Sequence, residues 1–150
     1  MRVLVVSEDA AERTRAVSAL ALLPDVEVVE APGAEEARRR VLHEDEHFDV
    51  LVVDGDLRPR GGFAMLYDLR ARCELEGREP APALVMASRE QDRWLARWAG
   101  ASDVLLKPVD SFELARRVAT LEGTEIPPYR DASATARQVA SMVPTPRQAS

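Results

Sequence analysis

Five short apolar runs, at residues 3–6, 26–29, 50–53, 83–87 and 104–106, recur along the chain, each followed by a longer stretch of helical period. A strand that leaves one face to water alternates apolar and polar residues, whereas a near-continuous apolar run needs cover on both faces. Crossover helices supply that cover in a parallel sheet. The pattern therefore predicts five strand–helix units around an interior sheet.

The helical stretches carry apolar faces of the matching period. Residues 10–22 place Val17, Leu20 and Ala21 together, and residues 34–42 do the same with Ala34, Ala37, Val41 and Leu42. A third helix over about residues 63–73 aligns Leu66, Leu69 and Cys73, and a fourth covers about residues 90–99. The fifth opens on a capping box, Asp110 with Glu113 three residues on, and presents Leu114, Ala115, Val118 and Leu121 to the core.

At 150 residues the chain suits one domain with a real core. The pattern stops after Glu122, where Pro127, Pro128, Pro144 and Pro146 punctuate a stretch rich in Ala, Ser and Thr. The expected organisation is a domain over residues 1–122 and a flexible tail over residues 123–150. Within that tail Ala132, Ala136, Val139 and Val143 share a helical face that would order only against a partner.

No segment approaches the roughly 20 apolar residues that span a bilayer, and the first apolar run is too short for the core of a signal peptide. A cytoplasmic location is expected. The lone cysteine, Cys73, has no second thiol for a disulfide or metal site. The net charge of −6 argues against binding a phosphate backbone, and the tail, at +1, leaves −7 on the preceding body. No helix-turn-helix follows Glu122, so direct DNA binding is not expected.

Ligand sites of open parallel sheets form beyond the carboxyl ends of the strands. The polar residues there are Ser7, Glu8 and Asp9 after the first run, Asp54 and Asp56 after the third, Ser88 after the fourth, and Lys107 with Pro108 after the fifth. Several carboxylates thus converge opposite one lysine. Such a set suits a hard divalent ion, with the lysine free to pair an anion bound beside it.

Phe48-Asp49-Val50-Leu51-Val52-Val53-Asp54 resembles the strand that ends in the phosphoacceptor aspartate of response-regulator receiver domains. Lys107-Pro108 resembles the lysine–proline pair of that family, commonly joined by a cis bond. Ala99-Gly100-Ala101-Ser102-Asp103 resembles the turn into its last strand, and Glu30-Ala31-Pro32-Gly33-Ala34-Glu35-Glu36-Ala37 its second strand–helix junction. The likeness runs in order over about residues 2–122. It implies a doubly wound α/β fold with five parallel strands in the order 2-1-3-4-5.

The resemblance also implies roles. Asp54 would attack a phosphoryl group, Glu8 and Asp54 would hold Mg²⁺ with the main-chain carbonyl of Asp56, and Lys107 would stabilise the phosphoryl oxygens. Three positions depart from the family pattern. Ser7 stands where a first acidic residue is usual, which implies a weakened Mg²⁺ site. Ala87 stands where the switch hydroxyl belongs, with Ser88 beside it but expected on the opposite face unless the strand end bends. Val104 replaces the aromatic partner of that hydroxyl.

The fourth helix carries Trp94 and Trp98 beside Arg89, Arg93 and Arg97, which is interface chemistry, and at least one tryptophan should lie near the surface. His43 and His47 fall in an acidic connection read as a solvated loop. Arg58-Pro59-Arg60-Gly61-Gly62 is read as a flexible rim after the third strand.

Two functional readings stand. One is a stand-alone receiver, phosphorylated at Asp54 with impaired efficiency by a histidine kinase, that regulates a protein partner through its fourth helix and tail. The other is a phosphorylation-independent accessory subunit of a larger complex, respiratory NADH dehydrogenase being one candidate. No nucleophile–base pair or nucleotide loop points to an enzyme.

Overall fold

The protein is described by a computed structural model that covers residues 1–43 and 46–123. The tail beyond Gly123, with its expected partner-binding helix, lies outside the described residues, as do Glu44 and Asp45 of the acidic connection. Five parallel strands, β1 (Arg2–Val6), β2 (Glu27–Ala31), β3 (Val50–Asp54), β4 (Ala83–Ala87) and β5 (Asp103–Leu106), form one sheet in the order β2-β1-β3-β4-β5. This is the expected order. Each crossover is helical: α1 (Ala10–Leu20), α2 (Ala34–Arg38), α3 (Gly61–Leu75) and α4 (Arg93–Ala99) connect the strands, and α5 (Ser111–Glu122) follows β5.

Two apolar layers sandwich the sheet, because alternate residues of each strand feed opposite faces. Leu4, Val6, Leu51, Val53, Val85 and Val104 pack under α2, α3 and α4. Val3, Val5, Val50, Val52, Leu84, Met86 and Leu105 pack under α1 and α5. The three central strands are almost wholly buried, as their unbroken runs require. The edge strand β2 exposes Glu27 and Glu30, so the expectation of a fully interior sheet holds only for its centre.

Several boundaries differ from the expected ones for identifiable reasons. Helix α1 ends at Leu20 and buries Ala16, Ala19 and Leu20, while Ala21 is exposed. The buried stripe is thus rotated one residue back, placing two alanines where α1 packs on α5. The second helix passes into a π turn over Arg39–His43, in which Arg40 bonds both Glu36 and Glu46. The fourth begins with a 3₁₀ turn, Glu90–Asp92. At α5 the Asp110 carboxylate caps the amides of Phe112 and Glu113, but the Glu113 carboxylate turns to Arg116 and Arg117 instead of completing a box.

The glycine pair expected in a flexible rim instead opens α3. A Cβ at Gly62 would lie 2.2 Å from the Asp54 carbonyl oxygen and 2.9 Å from a Val53 methyl. Only a residue without a side chain lets α3 seat this closely on the end of β3.

Gly62→Ala is expected to cost roughly 1–3 kcal/mol through forced backbone movement. Gly33→Ala, at an extended residue with nothing within 4 Å of the added methyl, should cost less than about 1 kcal/mol. Urea denaturation of the two variants measures the contrast.

Candidate functional site

The parallel ladder carries all strand ends to one edge of the sheet and continues one residue past three of them. The Ser7 amide bonds the Ala31 carbonyl at 3.2 Å, the Gly55 amide the Met86 carbonyl at 2.8 Å, and the Lys107 amide the Ala87 carbonyl at 2.8 Å. Since Val6 pairs with Val53, the next residues on each strand, Ser7 and Asp54, fall side by side. They sit at the β1/β3 switch point, where the strand order reverses.

Asp54 is 4% exposed and both oxygens of its carboxylate accept hydrogen bonds. One oxygen, Oδ1, accepts from Lys107 Nζ at 2.7 Å and from the Asp56 amide at 2.9 Å. The other, Oδ2, accepts from the buried Ser7 hydroxyl at 2.7 Å. A carboxylate taken from water needs this many donors, since an uncompensated buried charge is strongly unfavourable.

Lys107 also donates to Asp56 Oδ2 at 3.1 Å, and the same oxygen accepts from Ser88 Oγ at 2.5 Å. Burial by itself would lower the Lys107 pKa, but the hydrogen bonds and charges of Asp54 and Asp56 outweigh it, so the ammonium is held above its ordinary value. The Asp56 carboxyl is held below the usual carboxylate range, first by the Ser88 hydroxyl and then by Lys107, against partial desolvation.

Glu8, Asp54 and Lys107 all lie at this edge, but Glu8 faces a cation of its own. Its Oε1 accepts from the Arg58 amide at 3.2 Å and from Arg58 Nε at 3.1 Å. Asp9 caps α1 by accepting from the amides of Ala11 and Glu12. Ser88 lies on the face opposite Ala87, as strand alternation requires, and on the Asp54 side, where it reaches Asp56. Leu84 and Met86, which precede it by even steps, already face that side. Ala87 and Val104 lie in the opposite layer, where an apolar contact region occupies the place of a hydroxyl and its aromatic partner. The peptide bonds Arg58–Pro59 and Lys107–Pro108 are both cis.

Both tryptophans are surface groups: Trp94 is 59% and Trp98 53% exposed. Trp98 stacks on Tyr67 of α3, with ring centroids 4.5 Å apart and planes 4° from parallel. Arg89 pairs with Asp92 and Arg93 with Glu90. His47 lies near Asp49 at the other end of the sheet, far along β3 from Asp54. Sequence reasoning placed Asp56 among the carboxylates facing the lysine but gave it a role through its main-chain carbonyl alone, and it missed two contributors. Arg13, which bonds the Ser7 carbonyl at 2.7 Å, and Tyr67 had no local signal.

The lowered Asp56 pKa fixes the sign of one pH effect. A carboxyl with a depressed folded-state pKa contributes stability in full above its unfolded value of about 3.9, and loses it as pH falls through the folded value. Below about pH 5, stability should therefore decline less steeply in Asp56→Asn than in the wild type. Denaturation midpoints across the acid range read the difference.

No family model matches the chain. An uncharacterized response regulatory protein of Mycobacterium tuberculosis strain H37Rv is 31% identical over 129 residues, spanning 81% of this chain and 90% of the relative. Among solved structures, a putative response regulator from Chloroflexus aurantiacus superposes with a TM-score of 0.71 at 23% identity, over 81% of this chain and 97% of the other. The receiver domain of a sensor histidine kinase from Pseudomonas aeruginosa, which has a magnesium ion coordinated in its active-site cleft, gives a TM-score of 0.68 at 23% identity, over 82% and 98%. The structural likenesses establish the fold, and the sequence relationship establishes the kinship: this chain belongs to the response-regulator receiver family.

Proposed function

We propose that the protein is a cytoplasmic receiver whose acceptor is Asp54 and whose output is a protein–protein contact. The observation that carries this reading is the Asp54 carboxylate at the switch point, bonded by Lys107 at 2.7 Å. Asp54 supplies the attacking oxygen. Lys107, kept charged by its two carboxylate partners, neutralises phosphoryl oxygens.

The donor set is chemically suited to Mg²⁺, since Glu8, Asp54 and the Asp56 carbonyl present only hard oxygens. When bound, the ion would supply charge neutralisation to the incoming phosphoryl oxygens. The site is read as a weakened one on two grounds. Ser7 brings a neutral hydroxyl where a carboxylate would add charge, and Glu8 already has Arg58. Among the described residues, no three His, Cys, Asp or Glu side chains cluster at metal-holding spacing. Phosphorylation by a histidine kinase is accordingly read as impaired.

The partner face is assigned to α4 together with Tyr67 of α3. Trp94, Trp98 and Tyr67 expose large rigid rings, and Arg89, Arg93 and Arg97 border them, the composition of a binding hot spot. The tail is part of the same proposal by its sequence alone. A second reading, a phosphorylation-independent accessory subunit of a larger assembly, draws support from the apolar Ala87–Val104 region, which offers no hydroxyl to follow a phosphoryl group inward.

Incubation with Mg²⁺ and acetyl phosphate, followed by intact-mass measurement, is expected to add about 80 Da to the wild type and nothing to Asp54→Asn. A wild type that never gains the adduct removes the acceptor reading. For the partner face, Trp94→Ala and Trp98→Ala should each weaken capture of the native partner by roughly 2 kcal/mol or more. If capture survives Asp54→Asn but fails in the tryptophan variants, the accessory-subunit reading prevails.

A further inference from the structure

The two oxygens of Asp54 are unequally occupied. Oδ1 holds two donors, the Lys107 ammonium and the Asp56 amide, whereas Oδ2 holds one, the Ser7 hydroxyl at 2.7 Å. The Ser7 oxygen in turn accepts the Asp9 amide at 3.1 Å, at the start of α1. That bond uses a lone pair of the hydroxyl and leaves its proton for Oδ2. Ser7 is fully buried, so water does not compete for the proton. The Ser7 backbone is held as well, by its amide to Ala31 and by Arg13 on its carbonyl.

We propose that Ser7 is a positioning residue that caps Oδ2 of Asp54, holding the acceptor in a resting form in which its least encumbered oxygen is tied to the protein. The proposal rests on the reading of Asp54 as acceptor. In transfer from an acyl phosphate such as acetyl phosphate, a lone pair of Oδ2 forms the new O–P bond. The bridging P–O bond breaks and its electron pair leaves with acetate, so no proton is required. The Ser7 hydrogen bond withdraws electron density from Oδ2 and so slows attack by its remaining lone pair.

The cap also accounts for how a buried carboxylate is tolerated beside a neutral residue in place of an acid. An aspartate at position 7 would repel Oδ2 instead of bonding it, and a cation would then become the compensating partner. The hydroxyl thus exchanges metal dependence for an internal bond. Asp54 is stabilised without an ion, at the expense of a less available oxygen.

The test uses the full chain as wild type, Ser7→Ala and Ser7→Asp, with circular dichroism melts to establish folding. Acetyl phosphate with Mg²⁺ gives adduct formation by intact mass, and Mg²⁺ alone gives affinity by calorimetry. Ser7→Ala is expected to gain the adduct on the order of tenfold faster than wild type, and Ser7→Asp to bind Mg²⁺ on the order of tenfold more tightly. Where the wild type gains the adduct, a folded Ser7→Ala that reacts at the wild-type rate or slower overturns the cap. Should Ser7→Ala fail to fold, an unchanged Mg²⁺ affinity in Ser7→Asp overturns it instead.

The two readings separate cleanly. If no variant accepts a phosphoryl group while Mg²⁺ affinity still rises from wild type to Ser7→Ala to Ser7→Asp, the cap stands and the acceptor role falls. If all three gain the adduct equally and bind Mg²⁺ equally, the acceptor role stands and the cap falls.

Discussion

The burial of one carboxylate, that of Asp54, constrains the rest of the site. A strand covered on both faces ends in a charged group at 4% exposure, and that charge persists only because donors arrive from three other places in the chain. Ser7 comes from β1, Lys107 from the residue after β5, and the Asp56 amide from the turn after β3. Each lies on a backbone segment fixed by the sheet or its immediate extension. Loss of any one strand pairing would therefore withdraw a donor as well as apolar contacts, which couples the site to the fold.

That coupling extends into the helical layers. Gly62 brings α3 against the Asp54 carbonyl, so the turn carrying Asp56 is enclosed between β3 and the start of α3. Ser88 joins the network through Asp56 and lies just before the 3₁₀ turn that leads into α4. The chain of contacts Asp54, Lys107, Asp56, Ser88 thus runs from the end of β3 to the segment that leads into α4, which carries Trp94 and Trp98. It lies on the opposite side of the sheet edge from the Ala87 and Val104 positions, where an apolar layer has closed.

Charge is distributed in keeping with this arrangement. At the strand ends, Lys107 and Arg58 stand against Asp54, Asp56 and Glu8, so the pocket retains anionic character while each carboxylate has a cationic or hydroxyl neighbour. The Arg58–Glu8 pair is well exposed on the arginine side, and such pairs contribute little stability. Its importance is local: it gives the Glu8 carboxylate a cationic partner from the turn after β3.

The sequence by itself determined the fold class, because unbroken apolar runs such as residues 50–53 can be satisfied only in the middle of a covered sheet, and five apolar runs alternating with helices admit few arrangements. It also determined which strand ends carry polar groups, since those groups interrupt the apolar pattern. What Glu8, Ser88 and the Asp56 side chain bond was left to tertiary structure. Their partners lie 32 to 51 residues away, and no local period or motif encodes a contact across that separation. The Tyr67–Trp98 stack was likewise decided by the packing of α3 against α4, because an exposed ring carries no burial pattern from which its neighbour could be read.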